Sequence, residues 1–104
     1  MKKLSVITPC YNEELNVEIC AQELKKIMQE HLPNYDYEHI FADNASTDST
    51  LIKLREIAAG DKHVKVIANS RNVGPFRNMW NAMKSATGDI VVPQLAADLQ
   101  DPHL

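Results

Sequence analysis

The residues best suited to chemistry fall in four short polar clusters, at 8–13, 43–48, 69–74 and 96–101. In the first, Thr8-Pro9-Cys10-Tyr11-Asn12-Glu13-Glu14, Pro9 stiffens the chain, Tyr11 offers a ring that can stack on a base or cover a sugar, and Glu13 can accept from ribose hydroxyls. The competing role for this segment is structural, with Asn12 capping a helix and the two glutamates complementing its dipole. Asp43 opens the second cluster, where a carboxylate can accept from a pyrimidine ring N–H, while Asp48 suits the start of a helix. In the third, Arg71 either meets a phosphate or sits on the surface. In the fourth, Asp101 precedes Pro102, the pattern of an N-cap followed by proline, so Asp98 is the better metal ligand.

The elements that must position these clusters alternate. Short β-type runs read at 4–8 (stopped by Pro9), 37–42, 64–68 and 89–95. Between them lie helical periods. Val17, Cys20, Leu24, Ile27 and Met28 share one face, as do Leu51, Leu54 and Ala58, the latter after a capping cluster at 46–49. Phe76, Met79, Trp80 and Met83 form the cleanest stripe, expected to be core, and Gly88 is expected to supply a left-handed helix stop. This β-α-β-α-β-α-β order predicts an α/β fold, a mostly parallel sheet with helices on both faces. In such sheets ligands bind beyond the carboxyl ends of the strands, which is where all four polar clusters fall.

Composition narrows the chemistry. The formal net charge of -3, with its lysines scattered, provides no footprint for nucleic acid. Only three glycines occur, Gly60, Gly74 and Gly88, so neither GxGxxG nor GxxxxGK[ST] can be written, and GxSxG is also absent. A diphosphate would therefore need a divalent cation held by carboxylates, Mn²⁺ or Mg²⁺. Cys10 and Cys20 match no disulfide framework or zinc spacing and read as reduced, buried thiols, which fits a cytoplasmic location. No apolar run approaches a membrane span, and the stretch after Met1-Lys2-Lys3 is too short for a signal peptide.

Taken together, TPCYNEE, DNASTDST, SRNVGPFRNMWNAMKSATGDIVV and AADLQDP resemble, in order and spacing, the family 2 glycosyltransferases of the GT-A fold. The resemblance implies that residues 1–104 are the Rossmann-like, nucleotide-sugar-binding N-terminal portion of a catalytic domain, ending just after its DxD-like segment. It also implies a nucleoside pocket lined by Pro9, Tyr11 and Glu13, with Asp43 on the base and Arg71 nearby. Asp98 would match the last Asp of the DxD motif, holding Mn²⁺ or Mg²⁺ against the diphosphate of a UDP- or GDP-linked sugar. Ala96 replaces the first Asp of that motif, and Asn44-Ala45 replaces a more usual Asp-Gly. The ADLQDP wording is most like members that transfer a hexose to polyprenyl phosphate or a surface polysaccharide, which for a longer parent implies the cytoplasmic face of the membrane.

The family's chemistry is inverting displacement at the anomeric carbon, with the catalytic base expected beyond Leu104. This portion alone is expected to bind nucleotide without turnover, and to self-associate through an exposed sheet edge or face. Two alternatives remain at this point. A sugar-phosphate nucleotidyltransferase is disfavoured by a first loop lacking glycine and basic residues; a non-catalytic α/β module would use its carboxylates only as caps.

Overall fold

A computed structural model describes residues 2–93. Seven elements follow one another: β1 (Lys3–Cys10), α1 (Val17–His31), β2 (Asp36–Asp43), α2 (Thr50–Gly60), β3 (Val64–Ala68), α3 (Pro75–Lys84) and β4 (Ile90–Pro93). The four strands form one parallel sheet in the order β3-β2-β1-β4. Right-handed crossovers explain the layering. The chain moves outward from β1 through β2 to β3, so α1 and α2 share one face; it then reverses to β4, which carries α3 to the other.

Two apolar clusters hold the layers together. Cys10, Val17, Cys20, Ala21, Phe41, Leu54 and Val64 fill the α1/α2 side. Ile7, Ile40, Ala42 and Ala82 fill the α3 side, with Met79 and Ala86 against them. β2 is buried from Tyr37 to Asp43 because helices cover both its faces. Phe41 is the largest of the fully buried side chains among the described residues; truncation to alanine costs about 3–5 kcal/mol.

Three expectations need correction. β1 does not stop at Pro9 but continues to Cys10, pairing Pro9 with Ala42 and Cys10 with Asp43. The Cys10 carbonyl accepts from the Asn44 amide on the β2 side, so Pro9 faces the opposite edge, where the described pairing ends at Ile7 and Pro93. The missing N–H thus breaks no ladder bond. Gly88 is not left-handed; among the described residues the positive-φ ones are Gly74 (φ 85°), Asn12 (φ 53°) and Ala45 (φ 61°). Gly88 instead serves close approach, since a Cβ there would meet Ser5 Oγ at 2.6 Å, Ser5 N at 2.8 Å and Lys3 O at 2.9 Å.

The third correction concerns α3. Of its apolar stripe only Met79 packs against the core; Phe76 is 92% exposed, Trp80 60% and Met83 42%. The face turned to the sheet is Asn78 and Ala82. Asn78 is drawn inward because its amide nitrogen donates to the Ala42 carbonyl at 3.0 Å and its oxygen accepts from Asn69 at 2.8 Å. With Asn78 satisfied in this way on the sheet side, Phe76, Trp80 and Met83 lie on the outside of the helix. On α1, Ile27 is likewise exposed, beside an apolar groove.

Candidate functional site

Parallel register sets Cys10, Asp43 and Ala68 side by side at one rim of the sheet. The three loops that leave this rim carry the first three polar clusters. Beside it the strand order reverses between β1 and β4, the crevice position for ligands in open α/β sheets.

The loops are tied to each other by side chains. Asn12, left-handed, points its amide oxygen at the Thr47 amide (2.8 Å) and the Asp48 amide (3.3 Å), while its own N–H donates to Ser46 Oγ at 2.9 Å. Asn12 is thus a bridge between loops, and α1 begins only at Val17, with Asn16 in the capping position. Glu14 accepts from the Ser49 amide at 3.0 Å, and Asp48 accepts from the Thr50 amide at 2.9 Å, at the start of α2. Burial works against the Asp48 carboxylate's charge, but its bonds from Thr50 hold its pKa below the ordinary value.

A second web joins the loops after β2 and β3 to α3. Asn44 Oδ1 accepts from the Val73 amide (2.9 Å) and from Asn69 (3.2 Å), and Asn44 Nδ2 donates to Asn72 (3.2 Å). Asn81 donates to Asn69 at 3.4 Å, so five asparagines with Asn78 form one amide network. Neutral amides both donate and accept, which lets such a network satisfy itself at the edge of the core without burying charge.

Between these webs lies an open pocket of about 330 Å³, lined by Pro9, Cys10, Tyr11, Glu13, Asn44, Asn72, Pro75 and Asn78. Tyr11 is 46% exposed at its mouth. Glu13 is anchored through its backbone, whose N–H donates to Thr50 Oγ1 at 2.8 Å, and its carboxylate accepts from Asn16 at 3.1 Å. The pocket's walls combine a ring, one carboxylate and several amides, the mixture that suits a polar heterocycle and its hydroxyls. A second groove, about 360 Å³ between α1, β1 and β4, is lined mainly by Leu4, Val6, Leu24, Ile27, Met28 and Val92. It is the more apolar of the two and offers little to a phosphorylated ligand.

Of the candidate residues, the structure brings Pro9, Tyr11 and Glu13 together in the rim pocket. Asp43 sits at the same rim but is buried, with its carboxylate accepting from the hydroxyl and the amide of Ser46. Asn44, the next residue, is the one that reaches the pocket. Arg71 is exposed on the loop after β3 and does not line it. Asp98 lies outside the described residues, as do Ala96 and Asp101. Among the described residues no group of three His, Cys, Asp or Glu side chains could hold a metal ion, so this part of the rim does not by itself fit one. Sequence reasoning did not assign Asn44, Asn72, Pro75 or Asn78 to the pocket. The available signal was the density of asparagines at 69, 72, 78 and 81, two of them inside a helix where asparagine is a poor former.

The comparisons with known proteins agree with this architecture. The model of glycosyl transferase family 2 matches residues 5–103. The chain belongs to glycosyl transferase family 2. It is 39% identical over 98 residues to the uncharacterized glycosyltransferase YkcC of Bacillus subtilis, covering 94% of this chain and 29% of that protein. It is 31% identical over 100 residues to a prophage bactoprenol glucosyl transferase homolog of Escherichia coli K12, covering 96% and 32%. Among solved structures it is similar to the mannosyltransferase PcManGT of Pyrobaculum calidifontis, in complex with GDP-Man and Mn²⁺ (TM-score 0.81, 27% identity, covering 98% of this chain and 29% of that one). It is also similar to glucosyl-3-phosphoglycerate synthase of Mycobacterium tuberculosis, in complex with Mn²⁺, UDP-glucose and glycerol 3-phosphate (TM-score 0.58, 27% identity, covering 98% and 36%). The chain thus spans about a third of the length of these relatives, and its fold is that of the GT-A glycosyltransferases.

Proposed function

We propose that this chain forms the donor-binding part of an inverting sugar transferase, and that the rim pocket takes the nucleoside of a UDP- or GDP-linked sugar. The observation that carries the reading is the convergence of Pro9, Tyr11 and Glu13 with Asn44 and Asn72 at the carboxyl ends of the strands. Tyr11 stacks on the base and Glu13 accepts from ribose hydroxyls. Asn44, whose amide both donates and accepts, faces the base edge, with Asp43 behind it holding the loop through Ser46. Arg71 lies towards the diphosphate. Asp98 is assigned to a divalent ion, Mn²⁺ or Mg²⁺, which when bound neutralises the leaving diphosphate. Ala96 removes one carboxylate from that segment, so metal affinity is expected to be reduced.

The relatives named for bactoprenol favour a polyprenyl phosphate as acceptor, at the cytoplasmic face of a membrane. No helix among the described residues is long and apolar enough to cross a bilayer. The base that deprotonates the acceptor is assigned to sequence beyond Leu104.

Calorimetric titration with UDP and GDP, with and without Mn²⁺, tests this reading. Binding of one nucleotide, strengthened by Mn²⁺, weakened about tenfold or more in Tyr11→Ala, and made metal-independent in Asp98→Ala is the expected pattern. Absence of binding at millimolar nucleotide with Mn²⁺ present refutes it.

A further inference from the structure

Apart from Met79, the apolar stripe on α3 is left exposed, yet it is built consistently. Phe76, Trp80 and Met83 recur at i, i+4 and i+7, so they form one ridge along the helix. At 3.6 residues per turn, Arg77 and Lys84 fall together along one flank of that ridge, roughly a quarter turn away. Of the three described helices, α3 alone carries no acidic residue; α1 has Glu18, Glu23 and Glu30, and α2 has Glu56. The charge that α3 itself carries is therefore purely positive in a chain whose net charge is -3. Arg71, exposed just before the helix, extends the same sign, and Asp89 after it is engaged by the Lys3 amide at 2.9 Å.

We infer that this face of α3 docks on a lipid surface carrying anionic headgroups. Trp and Phe rings bury their apolar bodies at the boundary of headgroups and acyl chains, and flanking Arg and Lys meet the phosphates; an aromatic ridge with an all-basic flank is the pattern of an interfacial helix. A protein partner would demand no such one-signed flank, and a second copy of the same basic face would repel its twin across a two-fold axis. The placement has a consequence for the donor reading, on which this last step rests. Pro75 and Asn78 of the same helix line the rim pocket, so docking α3 sets that pocket beside the headgroup layer, where a polyprenyl phosphate presents its charge.

Trp80 is the single tryptophan and reports directly. The full chain is mixed with vesicles of phosphatidylglycerol or of phosphatidylcholine, and Trp80 emission and vesicle flotation are followed. Expected are a blue shift and co-flotation with phosphatidylglycerol, at least about tenfold weaker with phosphatidylcholine or at high salt. The double variant Arg77→Glu, Lys84→Glu, and separately Phe76→Ser, lose this binding while their far-ultraviolet circular dichroism is unchanged, since all three side chains are exposed. Unchanged Trp80 emission at millimolar anionic lipid overturns the inference. So does binding that survives the charge reversal, or a blue shift that grows with protein concentration and needs no lipid. None of these readouts involves nucleotide, so their failure leaves the UDP and GDP titration standing, and the reverse.

Discussion

The side-chain oxygen of Asn12 accepts the backbone N–H of Thr47 at 2.8 Å across 35 residues of sequence, clamping the loop after β1 to the loop after β2. Tyr11 and Glu13 flank one end of that clamp and Asn44 precedes the other, so the shape of the rim pocket depends on it. Asn12→Ala removes the acceptor and places alanine in a left-handed conformation. Stability should fall by about 1–3 kcal/mol, summing a lost exposed hydrogen bond and the backbone cost. Nucleotide affinity should fall with it, whereas Asn12→Asp, which keeps the acceptor, should retain most of both. Chemical denaturation alongside nucleotide titration checks the pair.

Ala45 holds φ 61° where a side chain is disfavoured. The resemblance to family 2 sequences places glycine at this position, and the backbone gives the reason. Ala45→Gly should therefore stabilise the fold by about 1 kcal/mol, net of the extra freedom gained by the unfolded chain. A rise in thermal midpoint is the readout; a fall would mean that the turn is not strained.

His39 is buried against Phe41 (ring centroids 4.1 Å apart), bonded through Nε2 to Thr8 Oγ1 at 2.8 Å, with Nδ1 unpartnered among the described residues. Burial pushes its pKa down from 6.5 to about 4, with Asp61 opposing weakly. A depressed folded-state pKa means stability is complete above the unfolded value and is lost as pH falls from about 6.5 towards about 4. The loss should be on the order of 3 kcal/mol over that window, and His39→Gln should flatten it. Glu38, by contrast, resists burial through Lys65, Ser5 and Thr87 and is held at about 2, so its contribution disappears only between about 4.5 and about 2. Denaturation midpoints measured at intervals from pH 7 to pH 3 separate the two.

Gly88→Ala should destabilise by about 1–3 kcal/mol, because two of the three atoms its Cβ would meet belong to the β1 backbone and cannot rotate away. Ser5→Ala should not rescue it, because the Ser5 hydroxyl 2.6 Å from that Cβ also accepts from the Gly88 amide at 2.8 Å and donates to the Glu38 carboxylate.

The alternation of strands and helices was legible because each inner run carries β-branched or aromatic residues (Val6, Ile7 and Thr8; Tyr37, Ile40 and Phe41; Val64, Val66 and Ile67) and the segments between them keep a helical period. Sequence and structure part at particular residues. Periodicity alone marks Phe76, Trp80 and Met83 as the inner face of α3, whereas the structure turns Asn78 and Ala82 inward, with Asn78 bonded to the Ala42 carbonyl, and leaves those three exposed. Pro9 reads as a stop only while the direction of its missing N–H is unknown. At the site, Pro9, Tyr11 and Glu13 were legible from their place after the first strand. Asp43 and Asn44 were not separable, because which of two adjacent residues faces a pocket depends on where the strand's pleat ends, here with Asp43 turned to Ser46.

The most direct test is amide chemical-shift mapping of the isotopically labelled chain during titration with UDP and with GDP in the presence of diamagnetic Mg²⁺. The account predicts that one nucleotide shifts a set at 10–13, 44–46, 72–74 and 76–78, with Tyr11 and Asn44 among the largest. Shifts centred instead on the apolar groove of Leu24, Met28 and Val92, or no shifts at millimolar concentrations of either nucleotide, would contradict it.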